Sequence, residues 1–452
     1  MSFDYVIYST AILAALTGAS MGYLRSINAN SSWWWLLPVF IGMAWNLVSL
    51  VVIEYGFFIT EQSAYSMQTG AALRYLLFLI PGVIAFRLMA GDSRKLMIER
   101  GGGLGVRVGP MDLWVLAGTG LVVAVLMLNA ALSPAGWSGG IDRFNWWENS
   151  RYPWLQRITG TVCWPLAFSL GILLARFTAV RAHSLRTIVL ILYVGYLGFL
   201  IWMGQKFNGL TVPFLALFLP MVTMRGAHLR LSIRGLFESR SRQELMAFAG
   251  AGSIAASLLG FLVYRWFEMN SQTAAIGLNT LETLFYRAFI LQGHSYYGAD
   301  YIHFRDHFPT DEVLRLFAEL DYSGILTVMN LVGDTSLVES YTERGVRYAT
   351  IHPSFALMAG GPVGALAVST VIGGIVGLAA RWFRIGQLRN SMILQFCAAN
   401  LVFRGYGLFM MSDVSMLVSL KFLGPILIGT GALFIRPSQS VLGPELDQRP
   451  IA

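Results

Sequence analysis

Apolar runs of 17 to 25 residues recur along most of the chain, each long enough to cross a hydrocarbon core of roughly 30 Å as a helix. Breaks between them fall at charged clusters and at glycine or proline. Eleven spanning helices are predicted, near residues 3–23, 34–53, 70–90, 111–131, 160–177, 187–203, 209–224, 245–264, 355–380, 391–411 and 415–435. The period-two alternation of barrel strands is missing, so the expected fold is an all-α polytopic membrane protein. The first run has no basic residue before it and carries Asp4 on its flank, which predicts a retained span in place of a cleaved signal peptide.

One polar segment interrupts this pattern, from Trp266 to Thr350. It carries eleven of the 24 acidic residues against five arginines. Within it, "TDEVLRLFAELDYSGILTVMNL" reads as an amphipathic helix: Thr310 is the N-cap, acids fill the first turn, and Val313, Leu314, Phe317 and Leu320 share one face. The prediction is a structured cap. The chain accordingly divides into spans one to eight (1–265), the cap loop (266–354), spans nine to eleven (355–435) and a tail (436–452).

Charge then orients the spans. Arg87, Arg94, Lys95, Arg100 and Arg107 form one basic stretch; Arg176, Arg181 and Arg186 a second; Arg225, Arg230, Arg234, Arg240 and Arg242 a third; Arg381, Arg384 and Arg389 a fourth. Under strict alternation all four fall on one side, and with Arg25, Arg436 and Arg449 they hold 19 of the 32 basic residues. Basic residues near span ends stay cytoplasmic, so the N-terminus is expected outside, in the periplasm of a bacterial inner membrane, and the C-terminus inside. The net charge of +8 is a topology signal and does not imply nucleic acid. Composition agrees: 56% hydrophobic and 12% charged leave too little polar surface for a soluble globule of 452 residues. Cys163 and Cys397 both lie inside apolar runs, and neither a disulfide framework nor a metal site is indicated. "RGGGLGVRVG" follows a span and no strand, so it is read as a cytoplasmic turn, not a phosphate loop.

Several residues stand out against this background. Arg404 lies within a span, where a charge marks a partner or a wet cavity unless it snorkels outward. Lys206 occupies a short outer turn. Arg287, Lys206, Arg404 and Arg347 would ring one outer mouth, a set suited to a dianionic pyrophosphate. His294, His303 and His352 are the nearby groups that exchange protons near neutral pH, and Glu282 and Asp300 are candidate carboxylate bases. Trp137, Trp146, Trp147 and Trp154 gather in a second outer loop, as interfacial anchors or as sugar-stacking platforms, the role also open to Tyr296 and Tyr297.

These stretches resemble the Wzy-type polymerases of O-antigen and related oligosaccharide repeat units. "IWMGQKFNGLTVPFLALFLPM" is similar to the family's basic turn leading into an apolar helix, with Lys206 where arginine is usual. "FYRAFILQGHSYYG" carries an arginine, ten residues, glycine spacing from Arg287 to Gly298. The segment from Ser340 through the glycine-rich helix to Phe383, and "LVFRGYG" around Arg404, complete the likeness over roughly the C-terminal half; a second copy of the spacing is absent, since Met358 follows Arg347 at that interval. The resemblance implies an inverting, metal-independent glycosyltransferase of the type C membrane class, without cofactor. Its donor would be a growing glycan on undecaprenyl pyrophosphate and its acceptor a single repeat unit on the same lipid, with a chain-length regulator protein as partner. An O-antigen ligase and a lipid-linked oligosaccharide flippase are the alternatives; the net-acidic cap speaks against the first, and the lack of a visible inverted repeat against the second.

Overall fold

The computed structural model describes residues 3–56, 70–91, 108–135, 143–205, 207–225, 285, 289–306, 310–319, 324–335, 338–339, 352–389, 391–411, 414, 417 and 419–434. Among them the chain is helical, without a β-strand. In order these helices are α1 (Phe3–Ala29), a 3₁₀ turn (Ser31–Leu36) running into α2 (Leu37–Glu54), α3 (Ala71–Ala90), α4 (Pro110–Leu132), the short α5 (Arg143–Glu148), α6 (Leu155–Ala179), α7 (His183–Trp202), α8 (Phe207–Arg225), α9 (Leu291–Tyr301), α10 (Thr310–Glu319), α11 (Ile325–Val332), α12 (Ser354–Leu388), α13 (Met392–Met411) and α14 (Leu420–Phe434). Seven are long and apolar enough to cross a membrane among the described residues; Trp164–Thr178, Val212–Thr223 and Leu420–Phe434 are shorter apolar helices. Expected spans one to seven, nine and ten each overlap one of these helices, span nine with a break at Gly361; span eleven overlaps Leu420–Phe434, and 245–264 lies outside the described residues.

Packing is tightest between α3 and α12. A Cβ on Gly82 would meet the Ser369 carbonyl oxygen at 2.7 Å, and one on Gly373 would strike the Gly82 carbonyl. Lipid tails are as apolar as leucine, so van der Waals contact between backbones brought close by small residues holds such helices together. The two run in the same direction, since Gly82 meets Ser369 and Gly373 while Phe86 meets Gly377 further along.

The bundle has two distinct polar ends. At one, Asn30 donates to the Gly91 carbonyl (3.3 Å), and the buried Arg384 donates to Asn30 Oδ1 and Ser31 Oγ (both 3.3 Å). At the other, the buried Glu54 accepts from the Ala71 amide (2.7 Å) and from the Tyr5 hydroxyl (3.4 Å), so α1, α2 and α3 meet there. α9 packs at this second end, against α2 and α3.

α12 is not one continuous rod. Gly361 has φ +60° and ψ −161°, a conformation essentially confined to glycine, and Pro362 follows. In a straight helix residues 352 and 369 would stand roughly 25 Å apart. Instead His352 Nε2 and Ser369 Oγ are 2.6 Å apart, so the chain doubles back at Gly361. Residues 354–360 form a half-helix that runs from beside Ser369 to the reversal at Gly361, from which the long arm of α12 returns through the bundle.

Candidate functional site

α9 carries the site and is enclosed on every side: each residue from Gly293 to Asp300 is buried, and Gly293 and Asp300 bond to α2 and α3. Ser49 of α2 pins the first turn: its hydroxyl donates to the Ile290 carbonyl (2.8 Å) and accepts from the Gly293 amide (2.9 Å). At the last turn Asp300 meets Arg74 of α3 in a two-point fork, Nε to Oδ1 at 2.8 Å and Nη2 to Oδ2 at 2.5 Å. Tyr296 donates to Asp300 Oδ1 (3.2 Å) and lies edge-on to Tyr75 (5.0 Å between centroids), whose hydroxyl accepts from Asn46 (3.0 Å). Burial pushes the Asp300 carboxyl above the usual carboxylate range, against the opposing pull of the Arg74 guanidinium.

A π-helical turn, Ile302–Asp306, follows α9 directly. It lays Phe304 under the Arg74 guanidinium, 4.6 Å from ring centre to Cζ, and sets the half-buried His303 against the reversal of α12. A Cβ on Gly361 would come within 3.5 Å of His303 Cε1. The site is therefore a polar seat at one end of the bundle, made by Arg74, Asp300, Tyr296, His303 and the backbone around Gly361. It joins one charged span residue to groups from the segment before α12.

The residues singled out from sequence scatter around this seat. Asp300 and Tyr296 belong to it, and Gly298 lies in the same helix. His294 and Tyr297 are fully buried in α9. His352, expected on the outer face, is enclosed within the bundle, held by Ser369 and by its own amide donating to the Phe409 carbonyl at 2.7 Å. A small cavity beside it, lined by Val39 and Met43 of α2, Leu79 and Gly82 of α3 and Ile372 of α12, holds space for about two waters. Trp146 and Trp147 are not open sugar platforms: they are 1% and 2% exposed and pack edge-on against each other (5.0 Å) and Phe199 (6.0 Å each). The rings of Tyr296 and Tyr297 are likewise enclosed, because α9 is packed by α2, α3, α11 and α12 together. Arg404 is half-buried on α13, its guanidinium 5.5 Å from the Phe403 ring. Arg287, Lys206, Arg347 and Glu282 lie outside the described residues.

Arg74 is the member of the seat that the sequence reading did not single out. Its signal was present, an arginine in the first turn of the span "AALRYLLFLIPG" at the end that faces the acidic segment.

A family model described as a family of unknown function, DUF6418, matches residues 318–426. The match takes in the reversal at Gly361, all of α12 and α13 with Arg404, and ends within α14; Arg74 and Asp300 lie outside it. No curated protein and no solved structure matches the chain.

Proposed function

We propose that this protein polymerises oligosaccharide repeat units carried on undecaprenyl pyrophosphate, at the periplasmic face of a bacterial inner membrane. The observation that carries the reading is the polar seat around Arg74 and Asp300, built between membrane helices and the segment before α12 at the end opposite Arg384. A guanidinium fork at a membrane boundary matches the oxygens of a lipid-borne pyrophosphate. The likeness of the C-terminal half to Wzy-type polymerases supplies the reaction class. The basic stretches support the side, since arginines kept in the cytoplasm would leave the seat at the outer face.

In this reading the acceptor's hydroxyl oxygen bonds to the anomeric carbon of the donor from the face opposite the leaving group. The bond from that carbon to the pyrophosphate oxygen breaks, and the configuration inverts. The departing pyrophosphate gains charge, which cationic groups held in place stabilise more in the transition state than before it. The hydroxyl proton passes to a titratable group at the seat, where His303 is half-buried while His294 and His352 are enclosed.

Deleting the gene tests the reading. Surface glycan capped with a single repeat unit is expected, because ligation of unpolymerised units continues. Loss of all surface glycan would favour a ligase instead, and lipid-linked units trapped on the cytoplasmic leaflet a flippase.

A further inference from the structure

The Arg74–Asp300 pair is unequal in a way that points to a ligand. The Arg74 side chain is 29% exposed and that of Asp300 is 0% exposed, so the cation is the half that a molecule arriving from outside reaches. Arg74 is also the half fixed to the bundle: it rises from the first turn of α3, whose leading amide is tied to Glu54 at 2.7 Å. The Glu54 carboxylate, bonded to the Ala71 amide and the Tyr5 hydroxyl, lies near enough to add its charge to the field that holds the Arg74 cation. Asp300 rides on the far turn of α9, which Ser49 anchors at its beginning by hydrogen bonds, while Ala299 and Ile302 at the far end are held by apolar packing against Val313, Val328 and Phe355. The irregular π turn comes immediately after it.

We propose that Arg74 is an anion-binding residue and that Asp300 occupies its fork in place of a phosphate. When a pyrophosphate-bearing ligand arrives, the last turn of α9 gives way and the guanidinium exchanges carboxylate oxygens for phosphate oxygens, which present the same two-point geometry. Phe304 lies against the flat face of the guanidinium, leaving its edges for the oxygens. This rests on the functional reading above and names a residue for it that neither the resemblance nor the family match contains.

The exchange makes an asymmetric prediction that a mere tether between α9 and α3 does not. The full chain in detergent is titrated calorimetrically with farnesyl pyrophosphate, with inorganic pyrophosphate and with farnesol as the uncharged control. Arg74→Gln should weaken farnesyl pyrophosphate at least about ten-fold, and Asp300→Asn should tighten it by about ten-fold, because the competing carboxylate is gone. Equal losses in the two variants at retained helicity would overturn the proposal. Combining Arg74→Asp with Asp300→Arg keeps a pair that serves as a tether but moves the cation to the enclosed position. Folded protein without binding supports the proposal, and restored binding overturns it. Displacement by inorganic pyrophosphate assigns the site to the free anion as well; a failure to displace assigns it to a lipid headgroup. A failed asymmetry counts against Arg74 alone, whereas a deletion phenotype other than single-unit glycan counts against the polymerase reading.

Discussion

Arg176→Ala is expected to lower the stability of the folded protein by about 3–5 kcal/mol, the cost of leaving one member of a buried ion pair without its partner. Arg176 Nη1 lies 2.6 Å from Asp112 Oδ1, and the two side chains are 4% and 1% exposed. Asp112 serves α4 as well, since its Oδ2 accepts the Gly109 amide at 2.9 Å and closes the start of the helix. Removing the guanidinium strands this carboxylate between α4 and α6, and the loss should appear as an earlier thermal transition in detergent. Replacing both partners, Arg176→Met with Asp112→Leu, should recover most of it, because no charge is then buried unpaired. A drop below about 1 kcal/mol in the single variant would mean that water reaches the pair.

Gly361→Val should leave protein in the membrane but reduce the proposed polymerisation at least about ten-fold. At φ +60° and ψ −161° a side chain costs about 1–3 kcal/mol, and a β-branched one crowds the backbone further. The added Cβ reaches His303 only at ordinary van der Waals distance, 3.5 Å, so the cost lies in the backbone. The chain escapes by straightening, which withdraws His352 from Ser369 and displaces His303 from the seat; each 1.36 kcal/mol lost from the transition state is a factor of ten in rate. Glycan length normalised to protein level reads the effect. Long chains at wild-type levels from Gly361→Val would show that the reversal is dispensable.

The helical class was legible because it depends only on the length of apolar runs, and hydropathy averages that robustly. The same averaging hides Gly361. A window across 355–380 stays apolar through "AGGPVGAL", although a glycine pair before proline is among the stronger local breakers. His352 followed that error: with the span starting at 355 it belongs to the loop, and only the reversal carries it into the bundle. Trp146 and Trp147 were misplaced for another reason. An aromatic-rich loop has one composition whether its rings face lipid, sugar or core, and contact with Phe199 of α7 decides it. Arg74 and Asp300 are 226 positions apart, so no local pattern links them. Asp300 stood out alone as a candidate base and Arg74, a charge placed early in a span, did not; their pairing belongs to tertiary structure.

The most direct measurement uses the purified protein in lipid with undecaprenyl-pyrophosphate-linked repeat units as the only substrate. A ladder of longer glycans, with one undecaprenyl pyrophosphate released per bond formed, is the result that the account predicts. Units that stay unjoined until a lipopolysaccharide core acceptor is supplied, or that only change leaflet, would contradict it.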